Sequence, residues 1–194
     1  FNLRDRSLSD TRVRRAIALA IDRESIVRTI WKGRADLVSS ILPPGSWAHD
    51  PDLPAVPFDP ARARRLLDEA GFPDPDGEGP LPRLRLTYKT SQNEVRRRVA
   101  TVIQEQLRQV GISLEIQSLE WGTFFSDIKK GSFQIYSLPW VGIADPDIFH
   151  HAFHSRSAPP DGANRGGYSD AEVDRLTEAA RREPSREKRR ETYR

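Results

Sequence analysis

The segment from Leu84 to Ile116 constrains the fold more than any other part of the chain. Leu84, Leu86 and Tyr88 alternate with a period of two. Val95, Val99, Val102, Ile103, Leu107 and Val110 then recur at helical spacing, and Ile112, Leu114 and Ile116 alternate again. A long helix between two strands rules out a hairpin, so the strands pair in parallel through a right-handed crossover. A second crossover follows. "EWGTFFSDIKKG" predicts a helix closed by Gly131, and "SFQIYSLPW" predicts a third strand with Phe133 and Ile135 on one side. The expected architecture is α/β, a small mixed sheet with strands near 83–90, 112–119 and 133–139 and helices on both sides.

Two helices are expected before this unit. Val13, Ala16, Ile17 and Ala20 mark the first, capped by Ser9 or Asp10. Ile26, Val27 and Ile30 mark the second, capped by Asp22 and ended by Gly33. The stretch from Ala35 to Pro60 carries Pro43, Pro44, Pro51, Pro54, Pro57 and Pro60, so it reads as extended connection with room for one short strand at Leu37–Ile41. Asp59 followed by Pro60 starts a helix whose buried face is Ala63, Leu66, Leu67 and Ala70. Downstream, Ser169 with Glu172 predicts a capping box, and a last helix is expected from Ser185.

Composition removes several kinds of function. The chain has no cysteine, which excludes disulfides, thiolate metal sites and cysteine nucleophiles among these 194 residues. Lys and Arg number 31 against 28 Asp and Glu, a net charge of +3, so a nucleic-acid surface would need local clustering. The clusters Arg96–Arg98, Arg181–Arg182 and Lys188–Arg190 are interleaved with Glu94, Glu105, Glu183 and Glu187 and read as solvated helix faces. Nucleic acid is therefore not an expected partner. No apolar run is long enough to span a bilayer. Both ends begin or stop inside structural patterns, and the chain reads as an excised piece.

The stretch "PWVGIADPDIFHHAFHS" at 139–155 invites a catalytic reading, and three observations weigh against it. Asp145 and Asp147 flank Pro146 in a tight turn, where aspartate commonly bonds backbone amides, and Asp147 is expected to cap the next helix. His150 and His154 share a helical face, but His151 stands where a zinc protease carries its glutamate, and no third ligand is indicated. Rim histidines are the expectation, with no metal and no cofactor. There is also no nucleophile elbow, phosphate-binding loop or dinucleotide glycine fingerprint. Trp140 follows a strand in an α/β sheet, where ligands usually bind, and reads either as a half-buried core residue or as the wall of a binding cleft.

Five blocks in order carry a family resemblance: "RVRRAIALAIDRESIV", "LPPGSWAHDPDL", "LTYKTSQNEVRRRVATVIQEQLRQVGISLEIQSLEWGTFF", "GSFQIYSLPWVGIADPDIFHHAFHS" and "NRGGYSDAEVDRL". Together the chain resembles the second lobe of the family 5 extracellular solute-binding proteins, the peptide-type receptors of ABC importers. The resemblance implies a type II periplasmic binding protein-like lobe over 1–194, lacking the first lobe that completes the cleft, and no enzymatic activity. It implies a peptide or similar small solute as ligand and the importer's membrane subunits as partners. It also implies a periplasmic or extracellular place at the membrane. The ligand-facing residues it implies are Trp140, Trp121, Val141, Gly142, Ile143 and Asp145. The family's amine-pairing aspartate three residues after the tryptophan is here Ile143, and the sequence leaves open whether Asp145 takes its role. Two other classes stay in view: a ligand-sensing domain of a transcription regulator, and a metal-assisted hydrolase using His150 and His154.

Overall fold

The computed structural model describes residues 1–77 and 79–194, and the chain divides into two compact units. The first comprises Phe1–Leu37, Val56–Ile128 and Ser132–Leu138, the second Val38–Ala55, Lys129–Gly131 and Pro139–Arg194. In chain order the first unit holds α1 (Thr11–Leu19), α2 (Arg23–Thr29), α3 (Pro60–Glu69), β1 (Leu84–Ser91), α4 (Glu94–Arg108) and β2 (Ile112–Leu119). It also holds most of α5 (Trp121–Lys130), and then β3 (Ile135–Tyr136).

β1 runs parallel to β2 from the Leu84–Ile112 pair to the Ser91–Leu119 pair, and β3 pairs parallel with β1 at Tyr88–Ile135 and Lys89–Tyr136. The order is β2-β1-β3. The sheet is parallel throughout rather than mixed, because α4 and α5 lie between its successive strands and no hairpin joins them.

Strand alternation decides what each face meets. Leu84, Leu86 and Tyr88 are buried with Ile112, Leu114 and Ile135. The same cluster includes Ala100 and Leu107 of α4, Val13, Ala16 and Ile17 of α1, and Ala63 and Leu67 of α3. Each Leu or Ile so buried contributes roughly 1.5–3 kcal/mol. From the opposite face of β1, Lys89 Nζ donates to Asp127 Oδ2 of α5 at 2.7 Å and to the Ser132 carbonyl at 2.6 Å. There Phe124, Ile128 and Phe133 form a second cluster. Helices thus cover both faces. Val95, expected on the buried side of its helix, is exposed in the first turn of α4.

The helix starts follow local chemistry. Asp10, Asp22, Asp59 and Asn93 each accept an amide hydrogen from the first turn of α1, α2, α3 and α4 respectively. β3 is only two residues long, shorter than its pattern suggested, because Gln134 diverts the ladder. The Gln134 side-chain oxygen accepts the Thr87 amide at 2.7 Å, and its backbone carbonyl accepts the Asn2 amide at 2.8 Å. No strand forms at 37–41 either. That stretch runs as bends and irregular chain into Pro43 and Pro44.

The second unit has no sheet among its described residues. Its helices are α6 (Ile148–Phe153), α7 (Ala171–Arg182) and α8 (Arg186–Tyr193). Asp170, not Ser169, caps α7, accepting the Glu172 amide at 2.9 Å and the Val173 amide at 3.1 Å. Its extended backbone and charged carboxylate suit that position, and Glu172 pairs with Arg175 instead of reaching back. Ser185 caps α8. Buried Asn164 organises the loop before α7, donating to the His154 and Tyr168 carbonyls and accepting the Tyr168 amide.

One glycine is set by both conformation and packing. Gly111, between α4 and β2, has φ +82°, and a Cβ there would lie 2.8 Å from Nε of Arg83. That arginine is almost fully buried and ties Asp68 of α3 and Asp74 to the start of β1. Gly71, after α3, has φ +87° but open space around it. Gly111→Ala is therefore expected to destabilise the chain by more than Gly71→Ala, which bears only the left-handed strain of about 1–2 kcal/mol. Urea unfolding of the two variants checks the order, and equal losses would show that Arg83 yields freely.

Candidate functional site

Ligands of open parallel sheets gather where the strands end. In the first unit the carboxyl ends of β1 and β2 open into a pocket lined by Ser91, Gln92, Asn93, Arg96, Glu120 and Trp121. Trp121 is 47% exposed and stacks on Phe125 with ring centroids 5.6 Å apart. Its position follows from its sequence neighbour: Glu120 caps α5, its Oε2 accepting the Gly122 amide at 2.7 Å and the Thr123 amide at 3.3 Å. Arg96, read from the sequence as part of a solvated cluster, is half-buried in this pocket and donates to the Ser91 hydroxyl at 3.2 Å. Its place in the first turn of a helix that follows a strand was the only hint available.

In the second unit the residues singled out from the sequence occupy one loop. The chain has no regular structure from 137 to 144. Trp140 is 38% exposed, its ring meeting the edge of His151 at 6.0 Å, with the Arg165 guanidinium 5.7 Å from its centroid. Val141 is almost fully exposed and Ile143 half-buried. Gly142 has φ +69° and open space where a side chain would stand, so the backbone itself is accessible there.

Asp147 does not take the capping role expected of it. Asp147 has helical backbone angles, φ −57° and ψ −12°, and its side chain makes no cap hydrogen bond. A capping side chain needs an extended backbone to swing back over the helix start. Asp147 instead faces Arg181, with Oδ1 3.0 Å from Nε. Asp145 organises the turn: its Oδ1 accepts the Asp147 amide at 2.9 Å and Arg189 Nη2 at 2.7 Å. Partial burial raises the Asp145 pKa, but the Asp147 amide and Arg189 outweigh it and hold the carboxyl below its ordinary value. Asp145 is therefore a committed carboxylate.

Of the three histidines here, His151 is exposed, His150 half-buried and His154 buried, so only His154 departs outright from the expected rim position. His154 is 1% exposed, accepts the Arg156 amide at Nδ1 and lies 3.2 Å from Glu178 Oε1 through Nε2. With Nδ1 accepting, the neutral ring carries its proton on Nε2 and donates it to Glu178. His150 stacks on His154 with ring centroids 4.3 Å apart, and Arg181 Nη1 lies 3.1 Å from its Nε2. Among the described residues no three histidine, aspartate or glutamate side chains are grouped to hold a metal ion.

The chain's similarities agree with a binding role. Residues 1–159 match the family described as bacterial extracellular solute-binding proteins, family 5 Middle. Oligopeptide-binding protein AppA of Bacillus subtilis is 33% identical over 190 residues, covering 93% of this chain and 35% of that protein. The structure of that protein with a nonapeptide superposes with a TM-score of 0.88 at 31% identity, over 100% of this chain and 40% of the other. NikZ from Campylobacter jejuni in complex with Ni(L-His) gives a TM-score of 0.88 at 28% identity, over 100% of this chain and 40% of that one. The chain spans about a third of the length of such curated relatives, 36% for the dipeptide-binding protein of Escherichia coli.

The half-buried His150 makes a pH prediction. Burial, then Arg181 and His154, hold His150 below its ordinary pKa of 6.5, against the weaker pull of Asp147 and Glu178. A histidine whose folded pKa is depressed favours the fold fully above its unfolded pKa and loses that contribution as pH falls through the folded value. Stability is expected to decline as pH drops below about 6.5, and His150→Gln should flatten that part of the profile. Urea midpoints of both proteins between pH 7 and 5 measure it. Parallel profiles would show that His150 does not carry the effect.

Proposed function

Since the chain belongs to the bacterial extracellular solute-binding proteins of family 5, we propose that it is one lobe of a two-lobed receptor that delivers a peptide or similar small solute to an ABC importer. The observation that carries this reading is the match along the chain to proteins named for dipeptide and oligopeptide binding. The geometry is consistent with it. Of the three exposed tryptophans, Trp31, Trp121 and Trp140, Trp121 lies at a strand end and Trp140 in an irregular loop. An aromatic face offers contact area with few rotamers to freeze.

In this reading Trp140, Trp121, Val141, Gly142 and Ile143 meet the ligand from this lobe, and Asp145 holds the turn rather than the ligand. The other lobe supplies the facing wall. The complete receptor works outside the cytoplasmic membrane, in the periplasm or at the cell surface, beside the importer's membrane subunits. The lobe carries out no chemistry. A hydrolase built on His150 and His154 finds no support, since those imidazoles are occupied by Arg181 and Glu178. Nothing in the chain favours a transcription regulator.

Two measurements test the proposal. In the complete receptor, Trp140→Ala should weaken binding of a di- or oligopeptide about tenfold or more, the loss of at least ~1.4 kcal/mol expected of a buried aromatic contact. Melting should change little, because the ring is part-exposed before ligand arrives. Unchanged affinity by titration calorimetry would remove Trp140 from the site. The 194-residue chain alone should bind the same peptides far more weakly than the receptor, because an open half-site buries too little of the ligand. Equal affinity would show that the second lobe is dispensable.

A further inference from the structure

The loop that carries Trp140 is held by a few contacts: Ser137 accepts the Tyr88 hydroxyl at 2.5 Å, Leu138 packs on the second apolar cluster, and Trp140 meets His151 and Arg165. No helix or strand includes residues 137–144, Val141 is 89% exposed, and Gly142 adopts a left-handed conformation without contacts for a side chain. Fixing such a segment costs backbone entropy, so its order depends on what anchors its ends. The downstream end is the Asp145 turn, where Pro146 is buried and Asp145 accepts the Asp147 amide.

The anchor comes from far along the chain. Arg189 of α8 grips Asp145 with two nitrogens, Nη2 at 2.7 Å from Oδ1 and Nη1 at 3.4 Å from Oδ2. The same guanidinium lies 5.3 Å from the ring centroid of Trp47, and Arg186 lies 4.8 Å from that centroid. A guanidinium laid against an indole has its plane set before it meets a carboxylate, so less freedom is lost on pairing than for a solvated arginine. Its side chain is only 22% exposed. Residues in "EKRRETYR" that read as a solvated charged face thus include one working component.

We infer that Arg189, seated on Trp47, is a positioning residue for the Trp140 loop, acting through Asp145. The inference rests on the proposed function only in calling that loop ligand-facing. Arg189 touches no ligand in this scheme. It sets where the loop ends, and through the short connection from Asp145 back to Trp140 it sets the indole.

The test uses the chain labelled with 5-fluorotryptophan, whose four tryptophans are assigned in fluorine NMR by single Trp→Phe substitutions. Asp145→Asn and Arg189→Met are each expected to shift or broaden the Trp140 resonance while Trp31 and Trp121 stay in place. The double variant should add nothing further at Trp140, since both changes cut one link. Arg189→Lys, which keeps the charge but not the planar fork, should restore the Trp140 resonance only in part. If Arg189→Met does not fold, Asp145→Asn still reads the same link from its partly exposed side. A Trp140 resonance unmoved in Asp145→Asn, or separate additive shifts in the double variant, would overturn the inference. Those outcomes leave the receptor reading intact, whereas a Trp140→Ala receptor that binds peptide normally would sink that reading and leave the link standing.

Discussion

The parallel ladder between β1 and β2 is the constraint from which the first unit follows. Parallel strands cannot be joined by a tight turn, so the chain must leave the sheet and return at the same end. α4 makes that return with one apolar stripe pressed on Leu86, Tyr88 and Leu114, and the stripe of α1 and α3 closes the same core. The crossover brings the carboxyl ends of β1 and β2 side by side, and Ser91, Asn93, Arg96 and Trp121 meet there because each lies within a few residues of a strand end. The pocket is a product of topology, and its lining is whatever residues the chain puts at those ends.

The second unit is held differently. Without a sheet it has no ladder to satisfy backbone groups, and polar side chains take on that role. Asn164 serves three backbone groups of one loop. Asp174 takes both the amide and hydroxyl of Ser155, and Glu178 meets His154, Arg156 and Arg182. Exposed pairs of this kind are worth only about 0–1 kcal/mol each. The part-buried members, His154 above all, matter more because losing one partner leaves a polar group dry. Within that unit burial and Arg181 hold the His150 imidazole below its ordinary pKa.

The two units are thus built in different ways. In the sheet-based unit Arg96 and Trp121 rest close to strand ends. The loop around Trp140 is instead free to take its shape from a few directed contacts, Asp145 with Arg189 foremost.

Much of this was legible in the residues themselves. Period two at Leu84–Tyr88, helical spacing at Val99–Val110 and the cap residues Asp10, Asp22, Asp59 and Ser185 depend on neighbours within a turn or two, so local chemistry determines them. The family itself was visible in the order of its blocks. Other features depended on residues distant in sequence. β3 was cut short by Gln134 bonding Thr87 and Asn2. His154 was buried by Glu178, and Asp145 was claimed by Arg189, 44 positions away. Asp145 and Asp147 show the division most clearly. Two aspartates flanking a proline offer the same carboxylate to the same nearby amides, and the choice between cap and turn anchor hangs on one backbone angle and one arginine. Local sequence could predict that a carboxylate would be used there, and only the tertiary structure, by bringing α7 and α8 alongside, decided which one and for what.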